Sequence, residues 1–550
     1  MPGEFVNQLH YGDNLVRLRG EGVDKAIPDE VADLIYLDPP FNSARNYNLL
    51  FKQHKGQDSP AQIMTFEDTW KWSPLEYEKF KHDPQNSELF DLMDSLKKIL
   101  GPSEMMAYLL MMAPRLLELH RKLKPTGSLY LHCDPVASHY LKIILDVVFG
   151  PEHFRNEITW KRSSAHNDTK QGMKRCGRIH DILLFYSKTA IYTWNPQYTA
   201  YDKAYVAKTY NNVDEDGRRW KSSDLTGPGG AAKGNPQYEF LGVTRFWRYS
   251  EANMQRLLEE GRIFQARPGA VPRMKHYLDE MEGVTIQDIW LDIPPLSAQA
   301  AERRGYPTQK PLALLERIIA ASTDEGDVVL DPFAGCGTSI VAAERMNRKW
   351  IGIDITYLAI NEVVARLTEE KAEGRALKYE LLGTPKDEAA ARALFENSKA
   401  QNHKPFEQWA VTLVDGKYND KKGADRGIDG RIQLWDMQGN YREGVIQVKG
   451  GNALTLSAVR DFGQVINREK AVFGIMIAQK EPTREMKMEA ESMGYADWPG
   501  SKKIPRYQIL TTEGILERKE TAIVPDGYRI GPDRGVGKAV KGQTETLFDD

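Results

Sequence analysis

The stretch Asp331-Pro332-Phe333-Ala334-Gly335-Cys336-Gly337-Thr338 decides how this chain is read. It is preceded by Val328-Val329-Leu330, a short apolar run of the kind that forms a buried parallel strand, and followed by Ile340-Val341-Ala342-Ala343, which reads as the start of a helix. The stretch is therefore a strand-to-helix turn. Its glycines let the backbone approach a bound ligand closely, and the helix end presents unpaired N–H groups to polar ligand atoms. A second strand, Trp350-Ile351-Gly352-Ile353, ends on Asp354, about where a nucleotide-binding fold places the carboxylate that holds ribose hydroxyls. Taken alone, a turn with Gly335 and Gly337 also suits many other α/β proteins.

Far upstream, Ala32-Asp33-Leu34-Ile35-Tyr36-Leu37 is another buried strand, and it runs directly into Asp38-Pro39-Pro40-Phe41. A carboxylate, two rigid prolines and an aromatic ring at a strand's carboxyl end suit chemistry on a planar amine; the plainer reading is a stiff turn with a packed ring. With both motifs present, the sequence resembles the S-adenosylmethionine-dependent amino-methyltransferases of DNA. Their catalytic tetrapeptide has the form Asp-Pro-Pro-Tyr/Phe and their cofactor loop the form Phe-x-Gly-x-Gly. The order here, catalytic motif first and cofactor motif last, resembles the permuted beta group of that family. The resemblance implies an α/β fold with a doubly wound, Rossmann-like sheet and S-adenosylmethionine as cofactor. It makes Asp38, Pro39, Pro40 and Phe41 catalytic, and places Asp331, Phe333, Gly335, Gly337, Thr338 and Asp354 around the cofactor. Aspartate rather than serine at the head of the tetrapeptide resembles the adenine N6 members more than the cytosine N4 members.

At 550 residues the chain exceeds one hydrophobic core, so two to four domains are expected. A formal charge of −3 supplies no global basic field, so DNA must be held by local patches. The 3 cysteines, Cys133, Cys176 and Cys336, offer neither a disulfide framework nor zinc spacing, which suits a reducing cytoplasm. No apolar segment resembles a signal peptide or a membrane span, and no Walker-type phosphate loop is present.

In chain order, Gln8-Leu9-His10-Tyr11 reads as a short strand and Gly12-Asp13-Asn14-Leu15 as the turn after it. The resemblance puts Asp13 near the cofactor's adenine, while local chemistry makes it the cap of a helix from Leu15; the two do not conflict. Residues 42–48 form a polar, turn-rich segment expected to be an active-site loop. From Ser103 to Lys122 apolar residues recur at helical spacing and predict a core helix. The strand Ser128–His132 and the helix Ala137–Phe149, closed by Gly150, continue an alternating doubly wound pattern. His132 and Asp134 read as strand-end hydrogen-bonding groups, since no second cluster at metal-binding spacing accompanies them. Ile182–Tyr186 is expected to be the last core strand before the pattern dissolves.

From about Trp160 to Ala300 basic and aromatic residues interleave: Lys161, Arg162, Lys174, Arg175 and Arg178; Arg218, Arg219, Trp220 and Lys221; Arg245, Phe246, Trp247 and Arg248. Such groups neutralise phosphates, read guanine edges and stack where a base has left the helix, although ordinary packing aromatics give the same pattern. Residues 200–300 are assigned to target recognition on that basis. The segment Asp224-Leu225-Thr226-Gly227-Pro228-Gly229 resembles one found in adenine-directed members. Then comes Pro307-Thr308-Gln309-Lys310-Pro311, with Pro311 suited to a helix start. In the resembled family this element faces the methionine end of the cofactor, which makes Thr308 and Lys310 cofactor-binding residues, the lysine offsetting the cofactor's carboxylate.

Residues 368–400, rich in Glu, Lys and Ala, read as helical connectors, and a new module follows over 401–524. Phe406–Val411 looks helical, Gly427–Ile432 enters a strand, and a later strand, Gly444–Lys449, places Gln447 and Lys449 on one face. This resembles the Mrr-like group of the PD-(D/E)xK nuclease superfamily, a smaller α/β fold. The resemblance implies that Asp429 and the Val448 carbonyl hold Mg²⁺, that Gln447 stands where an acid is usual, that Lys449 orients the attacking water and that Glu407 adds an acid. A neutral glutamine ligand weakens metal binding, so a DNA-binding remnant is the competing reading. The tail over 525–550, rich in glycine and charge, reads as flexible. It ends in Gln543-Thr544-Glu545-Thr546-Leu547-Phe548, which resembles sliding-clamp-binding peptides, a match that chance also produces. The expected organisation is a catalytic half over 1–199, recognition over 200–300, a cofactor half over 301–367, the connector, the nuclease-like domain and the tail. Its expected partners are double-stranded DNA, a second copy of the chain, the sliding clamp and no membrane.

Overall fold

Strand β1 (Asn7–Tyr11) starts a nine-stranded sheet that continues through β2 (Ala32–Leu37), β3 (Leu123–Cys133), β4 (Phe154–Lys161), β5 (His180–Ser187), β6 (Ile289–Trp290), β7 (Val328–Asp331), β8 (Lys349–Asp354) and β9 (Tyr379–Leu382). The strands lie in the order β6-β4-β5-β3-β2-β7-β8-β1-β9. This is a computed structural model, and it describes the chain apart from residues 1–4, 22–24, 41–45, 53–57, 68–70, 165–173, 175, 298–299, 301, 305, 307, 373–376, 400–401, 420–426, 436–440, 499–502 and 526–550. Phe41, Arg175 and the clamp-like Gln543–Phe548 therefore lie outside the described residues.

All neighbours in the sheet are parallel except those of β5, which runs antiparallel to both β3 and β4. Every residue of β2 is buried, as a central parallel strand covered on both faces requires. It lies directly between β3 and β7, with Leu34 opposite Val329 and Ile35 opposite Leu330. The two motif-bearing strands are thus neighbours, and both chains leave the sheet at the same edge.

Helices between the strands fix their ends. In α1 (Asn14–Arg19) Asp13 caps the first turn, accepting the amide of Leu15 at 2.8 Å, and Gly20 closes the last in a left-handed conformation. The long α2 (Glu104–Lys122), capped by Ser103, and α3 (Ser138–Phe149) bury Leu109, Leu116, Leu141 and Ile144 against the sheet. Beyond residue 300, α4 (Leu312–Ser322) follows Pro311, α5 (Thr338–Arg345) follows the glycine turn, and α6 (Tyr357–Ala372) follows β8.

Two boundaries differ from those expected. Residues Pro196–Gln287 form a compact unit of their own, so the segment from Asp288 belongs with the main sheet, where Ile289 and Trp290 pair with Thr159 and Trp160 of β4. The connector over 368–400 is helical only in part: Tyr379–Leu382 pairs with β1 as an edge strand, because that edge leaves a row of backbone groups to be satisfied. The segment expected as an active-site loop leads into a hairpin, Asn46–Lys52 with Asp58–Glu67.

The Pro196–Gln287 unit has its own small core around the fully buried Trp247, with Leu225, Phe240 and Met254. Its four-stranded sheet pairs Arg219–Asp224 with Arg273–Tyr277 at the centre.

The C-terminal module begins with α7 (Lys404–Thr412) and builds a five-stranded sheet from β10 (Lys417–Tyr418), β11 (Gly430–Trp435), β12 (Tyr441–Lys449), β13 (Gly474–Ala478) and β14 (Tyr507–Thr511), in that order. The first three strands form an antiparallel meander, and β12, β13 and β14 are parallel, with α8 (Leu456–Arg468) and α9 (Arg484–Glu491) in the crossovers. Its core includes Tyr357 of α6 beside Phe406 and Trp409 of α7. Among the described residues no helix is long and apolar enough to cross a membrane.

Candidate active site

The two turns that leave β2 and β7 open into one pocket of about 240 Å³. Asp38, Pro39 and Pro40 line it from the first turn, and Phe333, Gly335 and Thr338 from the second. Asp13, Thr308, Lys310, Asp331 and Asp354 complete the expected set that faces the pocket. Gly337 does not line it. Its φ of 73° and the absence of a side chain serve packing instead, since a Cβ there would stand 2.8 Å from Cγ2 of Val363 on α6.

The glycine turn is held by acids at both ends. Asp331 accepts the Phe333 amide at 2.9 Å with one oxygen and the Ser339 hydroxyl with the other. Burial, reinforced by the fields of Asp38 and Asp354, pushes its carboxyl up to about 7. Asp354 accepts the Gly335 amide at 2.9 Å and both the amide and hydroxyl of Thr356 at 2.8 Å; burial raises its carboxyl as well. Arg366 of α6 ties the turn from behind, donating to the Cys336 carbonyl at 2.8 Å and the Thr338 hydroxyl at 3.1 Å.

The cap expected of Asp13 is present on α1, and the residue also lines the pocket. It pairs as well with Arg115 of α2 at 2.8 Å. Arg115 further donates to Asn14, whose amide bonds the Pro332 carbonyl at 2.8 Å, so the turn after β1 is strapped to the turn after β7. Sequence reading missed Arg115, because its partners lie about a hundred positions away; it also missed Tyr306, whose ring edge lies over Gly335.

One residue that lines the pocket makes a contact the sequence did not announce. Lys310, expected to answer the cofactor's carboxylate, has its Nζ 2.5 Å from Oδ2 of Asp38. The reason is local: the lysine precedes Pro311 at the start of α4, close to the end of β2. His132 and Asp134 are hydrogen-bonding groups, as read. His132 is fully buried between the Tyr36 hydroxyl at 3.0 Å and Asp181 at 3.2 Å, and Asp134 caps the turn into α3.

The pocket fits a nucleoside-containing cofactor. Gly335, with φ of 50°, lines the pocket with bare backbone, and an added Cβ would stand in contact with the ring edge of Tyr306 at 3.4 Å. An acid at the end of β8 and Asp13 after β1 are acceptors of the kind that ribose hydroxyls and an adenine amine ask for, beside a bare glycine turn.

In the C-terminal module, Asp429 Oδ2 accepts the Val448 amide at 2.7 Å, and Gln447 donates to the Gly427 carbonyl at 3.0 Å. These bonds bring the start of β11 against the Gln447-Val448-Lys449 run of β12. Glu407 of α7 accepts the Tyr418 hydroxyl at 3.1 Å. Among the described residues no three His, Cys, Asp or Glu side chains converge as a metal cluster.

In the Pro196–Gln287 unit the basic clusters divide. Arg218 is occupied by Asp279 at 2.8 Å and Glu280 at 2.9 Å, and Trp247 is core, whereas Arg219, Arg245 and Arg248 are exposed.

An acceptor motif and a cofactor turn sharing one pocket above adjacent strands define a group-transfer enzyme of the nucleotide-cofactor class. Comparison with known proteins narrows this: the DNA methylase family of N6 and N4 amino-methyltransferases matches residues 32–364, and the chain belongs to that family, whose members depend on S-adenosylmethionine. It is 32% identical over 408 residues to the type II methyltransferase M.EcaI of Enterobacter cloacae, covering 73% of this chain and 76% of that one. It is 27% identical to the Mod subunit of the type III restriction-modification enzyme StyLTI of Salmonella typhimurium, over 62% of this chain and 50% of that subunit. The DNA adenine methyltransferase YhdJ of Escherichia coli is 26% identical over 66% of this chain and 85% of its own. Among solved structures, the PvuII DNA methyltransferase, cytosine-N4-specific, aligns at 13% identity over 66% of this chain and 86% of that one with a TM-score of 0.34, a likeness too distant to decide anything.

Proposed function

We propose that this DNA methyltransferase modifies the exocyclic N6 of adenine at a specific duplex sequence, with Asp38 and Pro39 preparing the amine. The observation that supports this reading is that Asp38 and the Gly335 turn share one pocket. An exocyclic amine attacks poorly because its lone pair is delocalised into the base. The Asp38 carboxylate and Pro39 carbonyl accept its two hydrogens, which returns electron density to nitrogen and aims the lone pair. S-adenosylmethionine, when bound, supplies an electrophilic methyl on a sulfonium; Asp13, Thr308 and Asp354, with the Gly335 turn, are the residues assigned to hold it. The methylated nitrogen is a strong acid, and its proton leaves to Asp38 or to water. Phe41 is assigned, by its place in the motif, to stack on the base once it has swung out of the duplex. The exposed Arg219, Arg245 and Arg248 are assigned to target DNA.

With labelled S-adenosylmethionine and unmethylated duplex, label is expected on adenine N6, and Asp38→Ala is expected to slow transfer about 10²–10³-fold. Label on cytosine N4, or an unchanged rate in the variant, overturns the reading.

A second proposal concerns the C-terminal module: a Mg²⁺-dependent nuclease that makes the chain a self-contained restriction-modification enzyme. The bond from the Val448 amide to Asp429 supports it, because it sets Asp429, the residue before β11, against the Gln447-Val448-Lys449 run of β12. Asp429, Gln447 and the Val448 carbonyl would hold the ion, with Glu407 as a further acid, and Lys449 would orient the attacking water. The competing role is DNA or partner binding without cleavage.

A further inference from the structure

We propose that Lys310 is a positioning residue for Asp38, fixing which carboxylate oxygen meets the target amine, rather than an anchor for the cofactor. The inference rests on Asp38 being the amine acceptor. Lys310 Nζ lies 2.5 Å from Oδ2 of Asp38 across 272 positions of sequence, and the two side chains are only 10% and 15% exposed. Among the described residues no other hydrogen bond reaches Asp38, so Oδ1 is the oxygen left for an incoming hydrogen.

An aspartate's terminal torsion is soft and roughly two-fold, so a carboxylate without a partner presents either oxygen over a wide range of angles. A charge-assisted bond to one oxygen removes that freedom. The lysine is itself held: it also reaches the Thr308 carbonyl at 3.4 Å, and Pro311 behind it fixes the backbone at the start of α4. The pocket carries Asp13, Asp331 and Asp354 besides Asp38; Arg115 answers Asp13, and Lys310 is the cation against Asp38. A paired carboxylate is a weaker acceptor than a bare one. That is tolerable here, because the reaction asks Asp38 to orient an amine and return electron density to it, not to deprotonate it before attack.

The test compares Lys310→Met and Lys310→Arg with wild type, measuring methyl transfer at saturating S-adenosylmethionine and, separately, S-adenosylhomocysteine binding by calorimetry. Measurable transfer by wild type and its loss in Asp38→Ala establish the underlying reading first; without them that reading fails, and this one with it. Given both, Lys310→Met is expected to lower kcat about a hundredfold, to leave S-adenosylhomocysteine affinity within threefold, and to be partly rescued by Lys310→Arg. A preserved kcat, or a tenfold or greater loss of S-adenosylhomocysteine affinity, makes Lys310 a cofactor anchor and overturns the proposal. If Lys310→Met does not fold, Lys310→Gln, which keeps a donor without the charge, takes its place under the same criteria.

Discussion

Gly335 donates its amide to Asp354 across 2.9 Å, closing the glycine turn after β7 onto the end of the neighbouring strand β8. A single carboxylate therefore shapes the turn and faces the pocket, and its other oxygen is committed to Thr356 at 2.8 Å. Asparagine offers only one oxygen in the same space. Asp354→Asn is expected to set an amide N–H against either the Gly335 or the Thr356 N–H, costing about 1–3 kcal/mol for a buried donor left unsatisfied. S-adenosylhomocysteine affinity is expected to fall at least about tenfold, the equivalent of 1.4 kcal/mol. Unchanged affinity by calorimetry would show that the turn does not need this bond.

The two glycines of the turn separate by function. At Gly337 a side chain meets Val363 at 2.8 Å in a left-handed backbone, so Gly337→Ala is expected to cost about 1–2 kcal/mol for the backbone alone, with overpacking against α6 added. At Gly335 the nearest atom is 3.4 Å away and the residue lines the pocket, so Gly335→Ala is expected to cost less stability and more cofactor affinity. Urea unfolding and calorimetry on both variants check the crossing; the same rank order in both measurements refutes it.

Asp331 makes the cofactor turn sensitive to pH. Its carboxyl stands at about 7 in the fold against 3.8 ordinarily, because burial penalises the ionised form. Between those values the native state binds more protons than the unfolded chain, so the stability contributed is whole below about pH 3.8 and lost as pH rises through about 7. Asparagine keeps an acceptor for Phe333 and gains a donor toward Ser339. Asp331→Asn is expected to flatten the decline in urea midpoint between pH 5 and pH 8; a slope equal to wild type would sink this account.

What the sequence made legible is what local pattern encodes. The apolar runs at Ala32–Leu37 and Val328–Leu330, the glycine turn and the proline motif each announce themselves within a few residues. The reversed direction of β5 was hidden, since Ile182–Tyr186 is equally apolar in either orientation. Groups joined only by the fold were hidden too: Lys310 meets Asp38 across 272 positions, and Arg115 reaches Asp13 across 102. In the Pro196–Gln287 unit, composition could not tell a stacking aromatic from a core one, and Trp247 proved to be core.

The nuclease proposed for the C-terminal module poses the sharpest question, because among the described residues no three His, Cys, Asp or Glu side chains converge there. Asp429 meets the Gln447-Val448-Lys449 run through the Val448 amide at 2.7 Å, but glutamine contributes no charge to a metal site. If the module cuts DNA, Lys449→Ala is expected to abolish cleavage in Mg²⁺ while methyl transfer persists, since Lys449 lies outside the pocket that holds Asp38. Gln447→Glu is expected to lower the Mg²⁺ concentration needed for half-maximal cleavage, because a second carboxylate strengthens a hard-cation site. Gln447 donates to the Gly427 carbonyl, and glutamate loses that bond, so a small stability loss by thermal unfolding accompanies the gain. Should wild type and Lys449→Ala treat methylated and unmethylated duplexes identically at every Mg²⁺ concentration, the nuclease proposal fails and DNA or partner binding is the role left to the module.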